Sequence, residues 1–225
     1  MFIHPKSKNR PFHWGPFPLE MLPRNESMIE VESDRPQIDA SNASNLIDQR
    51  TTSGLLVDAV DRYREIYAGF VDGEVAPAQA PLPDDLESRT VDIKGAAYFM
   101  DASQVGICRL PERAWMNGKE AQPHDHAVVI LVEHGRVPEA DNAARAWVAP
   151  AVSATADMRA AELAALVAGH IRQMGMAARA HVAGHNDLDL ERVAVLAGLA
   201  LRDDHGLINA YVGSAFALAA VSTDY

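Results

Sequence analysis

Residues 183–225 read AGHNDLDLERVAVLAGLALRDDHGLINAYVGSAFALAAVSTDY. A polar loop leads into a helix predicted over 190–199, because the apolar residues there recur at helical spacing. Gly206-Leu207-Ile208 follows a first turn, and residues 211–214 form a second turn. The segment ends in an apolar strand predicted over 215–221. This order of loop, helix, two turns and strand indicates the fold of the chain.

The bulk composition is typical of one globular domain with a full core. Of the 225 residues, 48% are hydrophobic and 23% are charged, and the formal net charge is -11. This acidity excludes nucleic acid and anionic membranes as main partners, because both attract basic patches. No apolar run approaches the ~20 residues of a membrane span. The first residues lack the apolar region of an export signal, so we expect a cytoplasmic protein.

Cys108 is the only cysteine. A single cysteine cannot form a disulfide within the chain, and it cannot supply the four thiolates of an ordinary iron–sulfur cluster. Its apolar neighbours predict a small buried side chain rather than a catalytic thiol.

The rest of the chain divides into a proline-rich arm over 1–50 and one domain over 51–225. The arm carries large apolar residues and is predicted to be extended and packed on a surface, with exposed loop over 25–50. Helices are predicted over 55–70, over 90–102 and from Ser153 or Thr155 to 174, and strands over 104–110, 127–132 and 176–182. The run AVVILV at 127–132 is typical of a central strand buried on both faces. We expect a mixed α/β (α+β) fold, with helices on both sides of a mixed sheet.

The run His124-Asp125-His126 is a motif with metal-binding chemistry. Alternate residues of a strand share a face, so two histidines could ligate one metal ion. Two ligands do not complete a site, and an ordinary pair of surface histidines is the simpler interpretation. The chain contains no G-x-G-x-x-G, G-x-x-x-x-G-K-[ST] or G-x-S-x-G motif, so no nucleotide fingerprint or nucleophile elbow is present.

Three stretches together resemble one enzyme family. IKGAAYFMDASQVGICRL at 93–110 resembles the helix and small-residue strand that open the cobalamin-binding domain of reductive dehalogenases and of the related epoxyqueuosine reductases. HDHAVVILVEH at 124–134 resembles the strand that follows. Residues 183–225 are similar to that family's segment with an AGLG turn, a GLL-I element, a Tyr-Gly turn and a Val-x-Thr-Asp strand end. The arm is similar to the start of the cytoplasmic branch of reductive dehalogenases.

The resemblance implies a nitroreductase-like fold around base-off cobalamin, with two iron–sulfur clusters that supply electrons. In the family, cobalt acts on a carbon–halogen bond, and a tyrosine with a nearby basic residue supplies the proton. His126 stands where the tyrosine is expected, and His185 is the only candidate for the basic residue, so these two are the candidate catalytic residues. The candidate cofactor-binding residues are Gly198, Gly206, Leu207, Tyr211 and Gly213.

The sequence departs from the family pattern at several cofactor positions. The AGLG turn becomes Ala197-Gly198-Leu199-Ala200, and a basic, glycine-rich turn becomes residues 202–205, Arg-Asp-Asp-His. The basic residues after the Tyr-Gly turn are replaced by Ser214, Ala215 and Ala217. The family continues into a cysteine-rich cluster domain beyond the position of Tyr225. The chain therefore resembles the first, degenerate copy of the domain in cytoplasmic dehalogenases.

Three functions remain open from the sequence. The first is a degenerate scaffold that binds no cofactor or metal itself and packs against a catalytic domain with cobalamin and iron–sulfur clusters. The second is a working corrinoid-binding module that needs an iron–sulfur electron donor, with His126 and His185 as proton donors. The third is an unrelated α/β enzyme with a metal held by His124, His126, His181 and His185. A homo-oligomer is compatible with each.

Overall fold

The long apolar run AVVILV forms the central strand of the main sheet. The computed structural model describes residues 10–17, 19, 22–41 and 54–225. The helices are α1 (Glu26–Asp34), α2 (Leu55–Ala68), α3 (Leu86–Phe99), α4 (Arg145–Val148), α5 (Val152–Gln173) and α6 (Leu190–Leu196). The strands are β1 (Gln104–Arg109), β2 (His126–Glu133), β3 (Ala178–His181), β4 (Leu201–Asp203), β5 (Gly206–Ile208) and β6 (Phe216–Thr223).

The main sheet has the strand order β1-β2-β6-β3, and every neighbouring pair is antiparallel. The expectation of a mixed sheet is therefore wrong for the strands described. The strands β2 and β3, which precede and follow α5 in the sequence, run in the same direction. However, β6 returns from the β4–β5 hairpin and inserts between them, so each strand has only antiparallel neighbours.

Helices cover both faces of the sheet, as expected, and alternate side chains of each strand enter two different cores. Val128 and Ile130 of β2 pack on the side of α5 and α3. Val129 and Leu131 pack on the opposite side against α6 and Trp115. The prediction that 127–132 is a central strand buried on both faces is confirmed.

Helix starts differ from the sequence prediction where an unexpected residue provides the cap. The Asp85 side chain accepts the Ser88 amide at 2.7 Å, so α3 begins four residues before the predicted Thr90. The predicted caps Ser153 and Thr155 are wrong, because α5 continues directly from a 3₁₀ turn over Ala149–Ala151. Asp189 caps α6, accepting the Arg192 amide at 3.0 Å.

The described part of the arm packs on the domain. Phe17 lies against Tyr211 with ring centroids 5.3 Å apart. The loop expected over 25–50 contains α1, which begins after the cap residue Asn25. Glu32 of α1 is buried, and Arg202 binds it with donor–acceptor distances of 3.0 and 3.1 Å. Residues 1–9, 18, 20, 21 and 42–50 of the expected arm lie outside the described residues.

Candidate functional site

The candidate acid His126 is the first residue of β2. It is half-buried and lies between Arg109 of β1 and Thr223 of β6 in the sheet register. Its Nδ1 is buried and has no hydrogen-bond partner within the described part of the chain. A cavity of about 40 Å³ beside it is lined also by Arg89 and Tyr225. That volume is enough for a water molecule but not for an organic substrate.

The candidate basic residue His185 lies in the loop after β3. Its Nε2 is 2.9 Å from Oε2 of Glu65 on α2. Burial opposes ionisation of Glu65, but hydrogen bonds from His185 and Arg64 outweigh it and lower the pKa of Glu65. His126 lies at the start of β2 and His185 is bound to Glu65 of α2, so the structure does not assemble them as an acid–base pair.

The five candidate cofactor residues are also dispersed. Gly198 lines a groove of about 660 Å³ that we call the arm groove. The arm groove is lined, among others, by Leu22, Arg24, Val105, Gly106, Leu199 and Ile208. Gly206 and Leu207 line a different groove of about 770 Å³ between the β4–β5 hairpin, the start of β6 and the loop before α6. Tyr211 packs on Phe17, and Gly213 closes a turn by exchanging two backbone hydrogen bonds with Asn209.

As arranged here, these residues offer no single cradle for a corrinoid. A shared cradle would bring the glycines to one cavity, but they lie in two grooves and a turn. Gly206 and Gly213 have φ angles of +121° and +64°, so the turns themselves explain why glycine is present. At Gly198 the side chain of Arg24 already covers the surface, 3.5 Å from the place of an added Cβ. Turn geometry accounts for these positions without close approach of a cofactor.

A buried chain of hydrogen bonds that the sequence did not predict joins β3, β6 and the loop before β2. Nε2 of His181 and Nδ1 of His124 each lie 2.8 Å from Oγ of Ser222. The Asp187 amide donates to Nδ1 of His181 at 3.2 Å. His181 must therefore carry its proton on Nε2 and donate to Ser222, whose hydroxyl then donates to His124. The tautomers of both histidines follow from one backbone amide.

Burial and nearby charges keep both histidines of this hydrogen-bond network neutral. Burial, followed by the charge of Arg179, lowers the pKa of His181 to about 3. Burial also lowers the pKa of His124. Asp187 stays ionised: burial opposes this, but Lys119 at 3.0 Å and Arg179 at 2.8 Å lower its pKa. Two neutral histidines and a serine make a structural network, since the serine, Ser222, is fully buried.

A sequence signal for this network existed but was ambiguous. His124 stood out through the His-x-His pattern, whereas Ser222 and His181 are single polar residues in strand segments. Only the register of β3 with β6, which aligns Arg179 with Ser222 and His181 with Ala220, brings them together. Sequence spacing cannot show that register.

Arg192 is a second functional group that sequence reasoning missed. It is fully buried on α6 and donates to the carbonyl oxygens of Arg35, at 2.9 Å, and Pro36, at 2.6 Å, and also to that of Arg113. These bonds give partners to the two terminal nitrogens of a buried guanidinium and fasten the chain after α1 to the sheet domain. In the sequence, Arg192 resembles an ordinary charged residue on the exposed face of a helix.

The four histidines proposed for a metal site are not brought together. His124 and His181 share Ser222, His185 binds Glu65 and His126 lies at the β2 start. Within residues 10–17, 19, 22–41 and 54–225, no group of three or more histidine, cysteine or carboxylate side chains has the arrangement of a metal site. The described helices also include none long and apolar enough to cross a membrane.

Comparison with known proteins connects this architecture to one kind of enzyme. A structure of the catabolic reductive dehalogenase NpRdhA superposes on 96% of the chain with a TM-score of 0.79 and 37% sequence identity. Its complex with 3-bromo-4-hydroxybenzoic acid matches with a TM-score of 0.78. The fold is that of part of a reductive dehalogenase.

A third reductive dehalogenase structure, described as suggesting a mechanism for B12-dependent dehalogenation, matches with a TM-score of 0.80 and 37% identity. The chain spans about 30% of the length of these dehalogenase chains. No protein-family model and no curated protein sequence matches the chain. The resemblance seen in the sequence is thus confirmed at the level of a structural match to a reductive dehalogenase.

Proposed function

We propose that the chain is a non-catalytic, degenerate cobalamin-fold domain that acts as a scaffold in a reductive dehalogenase. It would pack against a catalytic domain that carries cobalamin and iron–sulfur clusters, on the same parent chain or a separate one. The observation that carries the proposal is the contrast between fold and site. The chain matches a dehalogenase over 96% of its length, yet the residues aligned with cofactor positions lie in two grooves and a turn.

We infer a nitroreductase-like fold with kinship to epoxyqueuosine reductases, a division into arm 1–50 and domain 51–225, and a cytoplasmic location. A homo-oligomer is compatible with this role. The supporting features are the antiparallel sheet with helices on both faces and the motifs at 93–110 and 124–134.

An exposed apolar face on α2 supports docking to another domain. Tyr63 and Ile66, one helical turn apart, are 59% and 55% exposed, and Phe70 just beyond the helix is 59% exposed. Clustered apolar side chains on a surface are costly unless a partner covers them. We assign this face to the catalytic domain, because the matched dehalogenase chains continue well beyond the part that this chain resembles.

Co-purification tests the scaffold role. The chain is mixed with the cobalamin and iron–sulfur part of a reductive dehalogenase, and the mixture is measured by size exclusion with light scattering. We expect a one-to-one complex that Ile66→Arg weakens by about tenfold or more, as for a central apolar contact. Val31→Arg, an equally exposed apolar position on α1, is the matched control and should bind normally.

Two results would contradict the scaffold role. One is the absence of any complex between folded partners. The other is dehalogenation of an organohalide by the chain alone, given a chemical reductant and cobalamin. That second result would establish the working corrinoid module, in which His126 and His185 have catalytic roles.

A further inference from the structure

The arm groove combines a small-molecule volume with an apolar floor. Its volume of about 660 Å³ lies within the roughly 300–1,000 Å³ of ordinary ligand sites. Leu22 of the arm, Leu201 of β4 and Ile208 of β5 contribute exposed apolar side chains to its lining. The groove is formed by elements from distant parts of the sequence, so its shape depends on the complete fold.

Glycine is required at two positions in the lining of the groove. A Cβ on Gly106 would lie 2.6 Å from the carbonyl oxygen of Ala197 and 2.9 Å from its Cβ. This is too close for any side chain, so β1 and the end of α6 can meet only through glycine. Gly198 has a φ of +74°, which lets α6 end in a tight turn beneath the groove.

The charge of the groove is opposite to that of the protein. The chain carries a formal charge of -11, but the charged residues that line the arm groove, among those described, are the cations Arg24 and Lys94. No aspartate or glutamate of the described residues lines it. The guanidinium of Arg24 beside exposed apolar side chains is complementary to an amphipathic anion.

Arg24 is placed to receive the anionic group. Its Nη2 donates to the carbonyl oxygen of Ile107 at 3.0 Å, which anchors the guanidinium at the edge of β1. A guanidinium has five N–H donors in a fixed plane, so one bond to a carbonyl leaves donors for a carboxylate. In the part of the chain that the structure describes, no carboxylate pairs with Arg24.

We propose that the arm groove binds small apolar carboxylates, with the carboxylate on Arg24 and the apolar body on Leu22, Leu201 and Ile208. Polyphosphates are a poor match, because they require more cations and a backbone cradle of amides. A scaffold domain and a catalytic domain could both hold such a site, so the assignment is independent of the proposed function.

Calorimetric titration with 2-naphthoate tests the site, with the neutral 2-naphthamide as the control ligand. We expect saturable binding of one naphthoate per chain, with 2-naphthamide weaker by about three- to tenfold because it lacks the charge-assisted contact. Arg24→Gln should weaken naphthoate binding by a similar factor and leave the amide unchanged. Arg136→Gln, an exposed arginine paired with Glu139 elsewhere, should change neither ligand.

A second variant tests the apolar floor separately from charge. Ile208→Ser changes a side chain that is 44% exposed, so the fold should persist, as thermal unfolding would verify, and both ligands should bind more weakly. The proposal is overturned if naphthoate does not bind at millimolar concentration. Equal affinity of the acid and the amide, or unchanged binding by Arg24→Gln in a folded protein, would overturn it as well.

Discussion

The His124–Ser222–His181 chain and the segment 198–213 both contain residue types that carry chemistry, yet they are organised in different ways. In the first, three side chains from separate elements meet through two 2.8 Å contacts, and His181 and Ser222 are fully buried. In the second, glycines and polar residues mainly shape turns. The polar side chains that the fold brings into close contact have a structural role. The segment that resembles a cofactor site forms turns of the backbone.

The largest expected difference between the two regions comes from removing a histidine. His181→Ala should lower the free energy of unfolding by about 3 kcal/mol, because it leaves a cavity beside Trp115 and unpaired polar groups at Ser222 and Asp187. His185→Ala, whose partner Glu65 is exposed, should cost less than about 0.5 kcal/mol. Urea denaturation measures both. Equal losses of unfolding free energy in the two variants would show that the buried network contributes no more to stability than the exposed pair.

The pH dependence of stability should reveal the same buried chain. The pKa of His181 is about 3 in the folded protein, against about 6.5 for a histidine in an unfolded chain. Between these values the unfolded state binds a proton that the folded state excludes. Stability is therefore complete above about pH 6.5 and falls as the pH drops towards about 3, by up to about 1.4 kcal/mol per pH unit.

Urea midpoints between about pH 7 and about pH 5, where carboxylates remain ionised, measure this slope. His181→Asn, which can still donate to Ser222, should flatten it. The neighbouring charges Arg179 and Asp187 and the partner His124 remain in that variant, so an unchanged slope would assign the effect to them instead.

A pair of substitutions separates two kinds of glycine. Gly106→Ala should cost about 2–3 kcal/mol, because the new Cβ overlaps the Ala197 carbonyl. Gly213→Ala should cost only about 1 kcal/mol, since its φ is +64° but the space around it is open. Thermal unfolding of the pair checks the order. A larger loss for Gly213 would indicate that the turn over 209–213 contacts something beyond its own backbone.

The sequence predicted individual strands and helices better than it predicted which strands pair with each other. The AVVILV strand was correct because burial of a continuous apolar run on both faces is a local property of the sequence. The mixed sheet was wrong because the insertion of β6 between β2 and β3 depends on long-range pairing. The loop expected around residue 30 is α1, whose burial of Glu32 needs Arg202 from a distant hairpin.

The candidate site was less predictable than the fold. The histidines at 126 and 185 were found by alignment with family positions, but their surroundings depend on which strands and helices meet. Ser222 and Arg192 gave no local signal, because a serine in a strand and an arginine in a helix are usually exposed. Burial decides their role, and burial is a property of the whole packing.

A visible-absorbance titration with hydroxocobalamin tests the central claim most directly. The folded chain and, as a positive control, the cobalamin-carrying part of a reductive dehalogenase are titrated under the same conditions. If the segment 198–213 only shapes turns, the corrinoid spectrum will not change with this chain even at high micromolar concentration. A saturable spectral shift at one corrinoid per chain would contradict the account and make this domain a working cofactor-binding module.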